Sequence, residues 1–159
     1  MTGRAELELT VDIGAPAELV WHTVTDWPAQ GEWMLGTRVE VVGAGDGRRA
    51  GARLRAVTGV GPLAFTDPME IVEWAPPHRC VVRHHGNVVR GGGTFEVREL
   101  GPQRARFVWG EQLDLPLGAL GRLGWPVVRP AFRAGVQQSL RKLAQVCEQR
   151  FRDGDHRHG

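Results

Sequence analysis

Five apolar residues near the end of the chain constrain it most: Phe132, Val136, Leu140, Leu143 and Cys147 recur at steps of four, four, three and four. That spacing sets them along one face of an α-helix. Arg133, Gln137, Gln138, Arg141, Lys142, Gln145 and Glu148 fall off that face. The pattern predicts a helix from about Pro130 to Arg152. A helix with one apolar stripe must bury it against another layer. Upstream lies a succession of strand-like runs, so the natural partner is the concave face of a sheet.

Ala5 to Ile13 alternates, with Leu7, Leu9, Val11 and Ile13 on one side and Glu6, Glu8, Thr10 and Asp12 on the other. This is the signature of a half-buried strand. Pro16 suits the first turn of a short helix reaching Thr25, and Pro28 that of a second ending near Trp33, with Asp26 as its cap. Strand-like runs follow at Thr37–Val42, Ala52–Thr58, Leu63–Trp74, Arg79–His85, Val88–Leu100 and Ala105–Leu115. A bend or bulge is expected at Asp67-Pro68, because proline cannot donate to a central ladder. Gly91-Gly92-Gly93 lacks a GK[ST] ending and no helix signal follows it. It reads as a bend in a curved sheet, not a phosphate loop. Ahead of the long helix, Pro116 to Pro130 is apolar and Gly/Pro-rich, an irregular lead-in or an extra helical turn kinked at Pro126 and Pro130. The fold class is therefore α+β: about seven antiparallel strands, two short helices after the first, and a long C-terminal helix.

A chain of 159 residues suits one domain, taken as 1–152, with 153–159 as a disordered tail. The net charge is only +2 and the basic residues are scattered among acids. Nucleic-acid binding would want a basic face or a reading motif, and neither is present. Lys142 is the sole lysine and tyrosine is absent, a bias that suggests a GC-rich bacterial genome. The first residues alternate and carry charges, unlike a signal peptide, and no apolar stretch approaches the roughly 20 residues of a membrane span. The expected location is the cytoplasm, without membrane insertion. Cys80 and Cys147 sit among apolar neighbours and read as buried thiols. No metal-ligand spacing, dinucleotide fingerprint, P-loop or nucleophile motif occurs, so no metal and no cofactor is expected.

Four segments carry a resemblance: Val11 to Met34, Met69 to Arg83, Arg106 to Gly118 and Phe132 to Gln149. Together they resemble the helix-grip fold of the START-like (SRPBCC) superfamily. The strand-APAE-VW-DWP run is similar to its bacterial polyketide cyclase/dehydrase-like branch. The resemblance implies a curved sheet wrapped around the last helix, with a cavity between them. It implies little about chemistry, because binders, carriers and enzymes share this scaffold.

The candidate residues follow from that layout. Trp33 and Met34 would line the mouth, unless Trp33, like Trp27, serves as a core anchor. Leu54, Trp109, Phe132, Val136 and Leu140 are candidate apolar walls. Glu111 shares a strand face with Phe107, Trp109 and Leu113, and an acid there breaks the apolar pattern. It either contacts a ligand as acceptor or general acid/base, or forms an ion pair with Arg83, Arg90 or Arg55. His84 and His85 point to opposite faces, so at most one faces inward; His84 joins Glu111 as a candidate catalytic group. An inward Arg83 or Arg90 would recognise an anion. Otherwise the inward strand positions read as largely apolar. Leu117, Leu120, Leu123, Trp125, Val127, Val128 and Phe132 form an apolar concentration that covers the cavity rim or mediates a homodimer.

Three functions fit. The first is binding of a small hydrophobic molecule, such as a polyketide, lipid or aromatic metabolite, in the internal cavity. The second is a cyclase or dehydratase using the same space. The third is a protein-interaction module of co-chaperone type. Aromatase-type relatives carry a polar constellation with Tyr, which this chain lacks, and that lowers the second reading.

Overall fold

The structure, a computed structural model, describes residues 4–59, 61–86, 90–114 and 119–156. Strand β1 (Arg4–Ile13) leads through helix α1 (Ala17–Val24) and a 3₁₀ segment (Trp27–Glu32) into β2 (Thr37–Val42). Strands β3 (Arg53–Thr58), β4 (Phe65–Ala75), β5 (Arg79–His85), β6 (Arg90–Gly101) and β7 (Arg104–Asp114) follow, then helix α2 (Ala119–His156). The seven strands form one antiparallel sheet in the order β1-β7-β6-β5-β4-β3-β2. Short turns make β2 to β7 a meander, and β1 closes onto β7. This is the helix-grip arrangement.

The alternation of β1 works as read. Leu7, Leu9 and Ile13 are buried, and α2 packs across this strand. The stripe on α2 is buried at Val136, Leu140, Leu143 and Cys147. α1 turns Val20, Trp21, Thr23 and Val24 into the same core. Burying such side chains supplies roughly 1.5–3 kcal/mol each for the large aliphatic ones, and this holds the helix to the sheet.

Several expectations shift. Asp26 makes no side-chain cap bond, although Pro28 does sit at the start of the 3₁₀ segment. β4 runs straight through Asp67-Pro68. Pairing with β5 begins only at Met69, so Pro68 has a strand neighbour on one side alone, where a missing N–H can be tolerated. The irregularity lies instead between Ile71 and Glu73. The extra residue, Val72, resets the alternation. Asp67, Met69 and Ile71 face inward before it, and Trp74 faces inward after it, where its ring meets Trp21 at 5.1 Å. Glu73 is thereby sent outward to Arg79.

α2 also begins well before Pro130 and ends beyond Arg152. Pro126 and Pro130 lie within it, both exposed, where water can meet the carbonyls deprived of an N–H partner. At the other end Gln149 bonds Asp153 and Arg152 bonds Gln149, extending the helix to His156. Of the tail expected at 153–159, residues 153–156 are thus helical, and 157–159 lie outside the described residues.

Gly91 has φ +117°, and a Cβ there would sit 1.9 Å from the carbonyl oxygen of Gln112. The β6–β7 approach therefore requires glycine at this point. At Gly92 an added Cβ would meet nothing closer than 3.7 Å. Gly91→Ala is expected to lower unfolding free energy by about 2 kcal/mol or more, and Gly92→Ala by less than about 1 kcal/mol, measured by urea denaturation.

Candidate functional site

The stripe on α2 fills only part of the concave face. Between the Phe132–Ser139 stretch of α2, the chain around Gln30 to Leu35 and the inward faces of the strands lies a cavity of about 360 Å³. Its walls are mostly apolar: Met34, Leu54, Met69, Val82, Phe95, Trp109, Phe132 and Val136 all contribute. Four polar groups on the wall are occupied within the protein. The Thr37 and Thr58 hydroxyls lie 3.0 Å apart, Gln30 donates to the Val24 carbonyl, and Ser139 Oγ accepts from the Leu35 amide.

The charged groups on the wall form one cluster. Register pairs His84 with Met69 and Gly91, and Glu111 with Leu7 and Gly93, so β4, β5 and β7 present Asp67, His84 and Glu111 to the same side. His84 Nδ1 lies 2.8 Å from Asp67 Oδ2, and Nε2 lies 3.0 Å from Glu111 Oε2. Trp109 Nε1 donates to Glu111 Oε1 at 2.8 Å. Gly93 makes the room: a Cβ there would come within 3.1 Å of Glu111 Oε1 and 3.2 Å of His84 Nε2. Asp67 and His84 are each 8% exposed. Among the described residues, Asp67 Oδ1 is buried without a hydrogen-bond partner.

Burial pushes the His84 imidazole towards the neutral form, but hydrogen bonds to Asp67 and Glu111 and their charges outweigh it and carry its pKa up to about 10. Held as an imidazolium, His84 offers both N–H groups to carboxylates and keeps no lone pair for a metal. It orients Glu111, whose remaining lone pairs can meet a ligand donor. Cys80, also on the wall, is raised to about 12 by burial and by Glu73, so it is a thiol and not a nucleophile near neutral pH.

Most sequence-derived candidates meet here: Met34, Leu54, His84, Trp109, Glu111, Phe132 and Val136 line the cavity. Trp33 and Leu140 do not. Trp33 packs edge-on to Phe107 and Trp109 at 6.2 and 6.1 Å, and Leu140 is fully buried in the core. Of the histidines, His84 faces inward and His85 is exposed, 3.5 Å from Glu70. The expected arginine partners of Glu111 are elsewhere. Arg55 pairs with Glu40, Arg90 donates to the Gly86 carbonyl, and Arg83 is exposed. The side chains of Leu117, Leu120, Leu123, Trp125 and Val128 lie outside the described residues, while Val127 is 79% exposed. The inward positions are less apolar than expected, chiefly because Asp67 joins them. The spacing of Asp67, Met69 and Ile71 carried that signal, but the bend assigned to Asp67-Pro68 obscured it.

A family model described as polyketide cyclase/dehydrase and lipid transport matches residues 4–148. No curated protein matches the sequence. Among solved structures, the chain is similar to the ZhuI aromatase/cyclase of Streptomyces sp. R1128, with 18% identity over 93% of this chain and 96% of that one and a TM-score of 0.72. A Thermus thermophilus protein matches at 20% identity over 90% and 97%, TM-score 0.71. Norcoclaurine synthase of Thalictrum flavum matches at 17% identity over 91% and 96%, TM-score 0.62. At these identities the structural likeness establishes the fold. Among the described residues, no helix is long and apolar enough to cross a membrane.

The His84 shift makes a signed prediction. A histidine raised from 6.5 to about 10 contributes stability that is complete below pH 6.5 and lost as pH climbs towards 10. Unfolding free energy should therefore fall by up to about 1.4 kcal/mol per pH unit between about pH 6.5 and 7.5, before the thiols of the unfolded chain begin to ionise. His84→Gln should flatten that slope, as read by urea unfolding at a series of pH values.

Proposed function

The chain belongs to the polyketide cyclase/dehydrase and lipid transport family, and from that premise we propose that it holds a small hydrophobic molecule in the cavity, anchored on Glu111. One observation carries this reading: an apolar space of about 360 Å³ whose charged groups, among the described residues, all belong to the Asp67–His84–Glu111 cluster. A space of this size falls in the range of ligand sites, which run from about 300 Å³ upward and pair apolar walls with a few placed polar groups. Apolar burial supplies affinity, and the oriented carboxylate supplies direction. Trp109 and His84 fix Glu111 on both oxygens, so little ordering remains when a ligand arrives.

A second reading, a cyclase or dehydratase acting on a polyketide-like substrate, is favoured by the same fixed carboxylate. The walls would hold a flexible chain in a reactive fold. Glu111 would take a proton from a carbon or hydroxyl of the substrate, with the adjacent imidazolium stabilising the charge that develops. His84 would position Glu111 and would not itself accept a proton, since both its nitrogens already carry one.

Native mass spectrometry of the protein purified from its own host tests the first reading. A co-purifying apolar molecule is expected, and Ala56→Phe, which adds bulk to the cavity wall, should remove it while circular dichroism stays unchanged. A ligand retained by a folded Ala56→Phe would place it outside the cavity. Glu111→Gln should weaken rebinding of the recovered molecule by about tenfold or more, the worth of a hydrogen bond to a charged group, with a smaller effect on stability. Chemical change of that molecule on incubation would separate enzyme from carrier.

A further inference from the structure

The charge balance at the polar end of the cavity bears on what kind of molecule it takes, provided that the cavity is a binding site as proposed above. His84 places one ring nitrogen 2.8 Å from Asp67 and the other 3.0 Å from Glu111. A neutral imidazole has one N–H and can serve only one of them; an imidazolium serves both. One cation then stands between two carboxylates, which leaves a surplus negative charge in an apolar enclosure. No Arg or Lys lies on the cavity wall among the described residues to offset it.

Acceptor capacity is also left over. Glu111 uses one lone pair for Trp109 and one for His84, and keeps others. Asp67 Oδ1 is buried without a partner among the described residues. An unpaired buried carboxylate oxygen is costly, so a donor that reaches it is favoured. The neighbouring walls include the rings of Phe95 and Trp109, 5.6 Å apart, whose faces attract cations.

We propose that the cavity selects hydrophobic molecules bearing a protonated amine and rejects hydrophobic carboxylates, with Asp67 and Glu111 as the anionic side of the pairing. An ammonium entering here neutralises the surplus charge and donates to Glu111, and a small side-chain movement brings the buried Asp67 Oδ1 within its reach. A hydroxyl donates but leaves the charge standing. A carboxylate adds a second unpaired negative charge beside the first and offers no proton to Asp67.

Four probes of one skeleton test this by isothermal titration calorimetry near neutral pH: naphthylethylamine, naphthylethanol, naphthylacetate and ethylnaphthalene. The amine should bind tightest, the alcohol about tenfold more weakly, and the acid at least about 100-fold more weakly than the amine. In Glu111→Gln and in Asp67→Asn, each checked for folding by circular dichroism, the preference for amine over alcohol should shrink towards unity, while ethylnaphthalene binds as before. Naphthylacetate binding as tightly as the amine would overturn the selectivity. An amine preference unchanged in both folded variants would overturn the assignment to Asp67 and Glu111. In either case binding of ethylnaphthalene would leave the cavity standing as a site. Failure of all four probes to bind would overturn both readings.

Discussion

The molecule depends on a mismatch of area. A seven-stranded curved sheet presents more inner surface than one helical stripe can cover. Val136, Leu140, Leu143 and Cys147 satisfy one part of that surface with the help of α1 and the Trp33 cluster. Beside them, α2 turns Phe132, Gly135 and Ser139 to the cavity, of which the last two are small. The core therefore closes at one end and stays open at the other. Nothing exotic is needed to make a cavity in such a fold; at Gly135 and Ser139 the helix turns small residues to the sheet.

What distinguishes this cavity is the placement of charge inside it. Burying two carboxylates and an imidazolium is unfavourable unless they satisfy one another, and three hydrogen bonds of 2.8 to 3.0 Å do so here. The compensation is incomplete, because one oxygen of Asp67 has no partner among the described residues. A core under selection for stability alone would do better with apolar residues of similar volume. On the proposed reading the cost has a purpose, because a guest molecule with polar groups of its own would be recognised by chemistry as well as by space.

Much of the architecture was legible in the chain. Alternation in β1 and the four-four-three-four spacing in α2 report burial directly, since each side chain's direction follows from its place in a regular element. The inward position of Glu111 was legible for the same reason, as an acid among Phe107, Trp109 and Leu113. Its partner was not. Register across β4, β5 and β7 decides which side chains meet, and register depends on turns and bulges that alternation within one strand does not encode. Arg55, Arg83 and Arg90 were reasonable partners by charge, yet all three project from positions opposite in parity to the inward set. Asp67 was obscured by the proline beside it, and Trp33 went to the core because aromatic neighbours from β6 and β7 converge on it.

The unpaired residue Val72 has a wider consequence. It divides β4 into two stretches whose inward sets are out of phase, one serving Asp67 and the open end, the other serving Trp74 and the closed end. The two ends of the interior are thus joined through a single-residue phase step. Were the strand to pair regularly with Val72 kept in the ladder, Glu73 would turn towards α1 in place of Trp74 while the cluster stayed untouched; removing Val72 itself would leave Trp74 facing inward, so the step is what reconciles this length of chain with both ends of the interior.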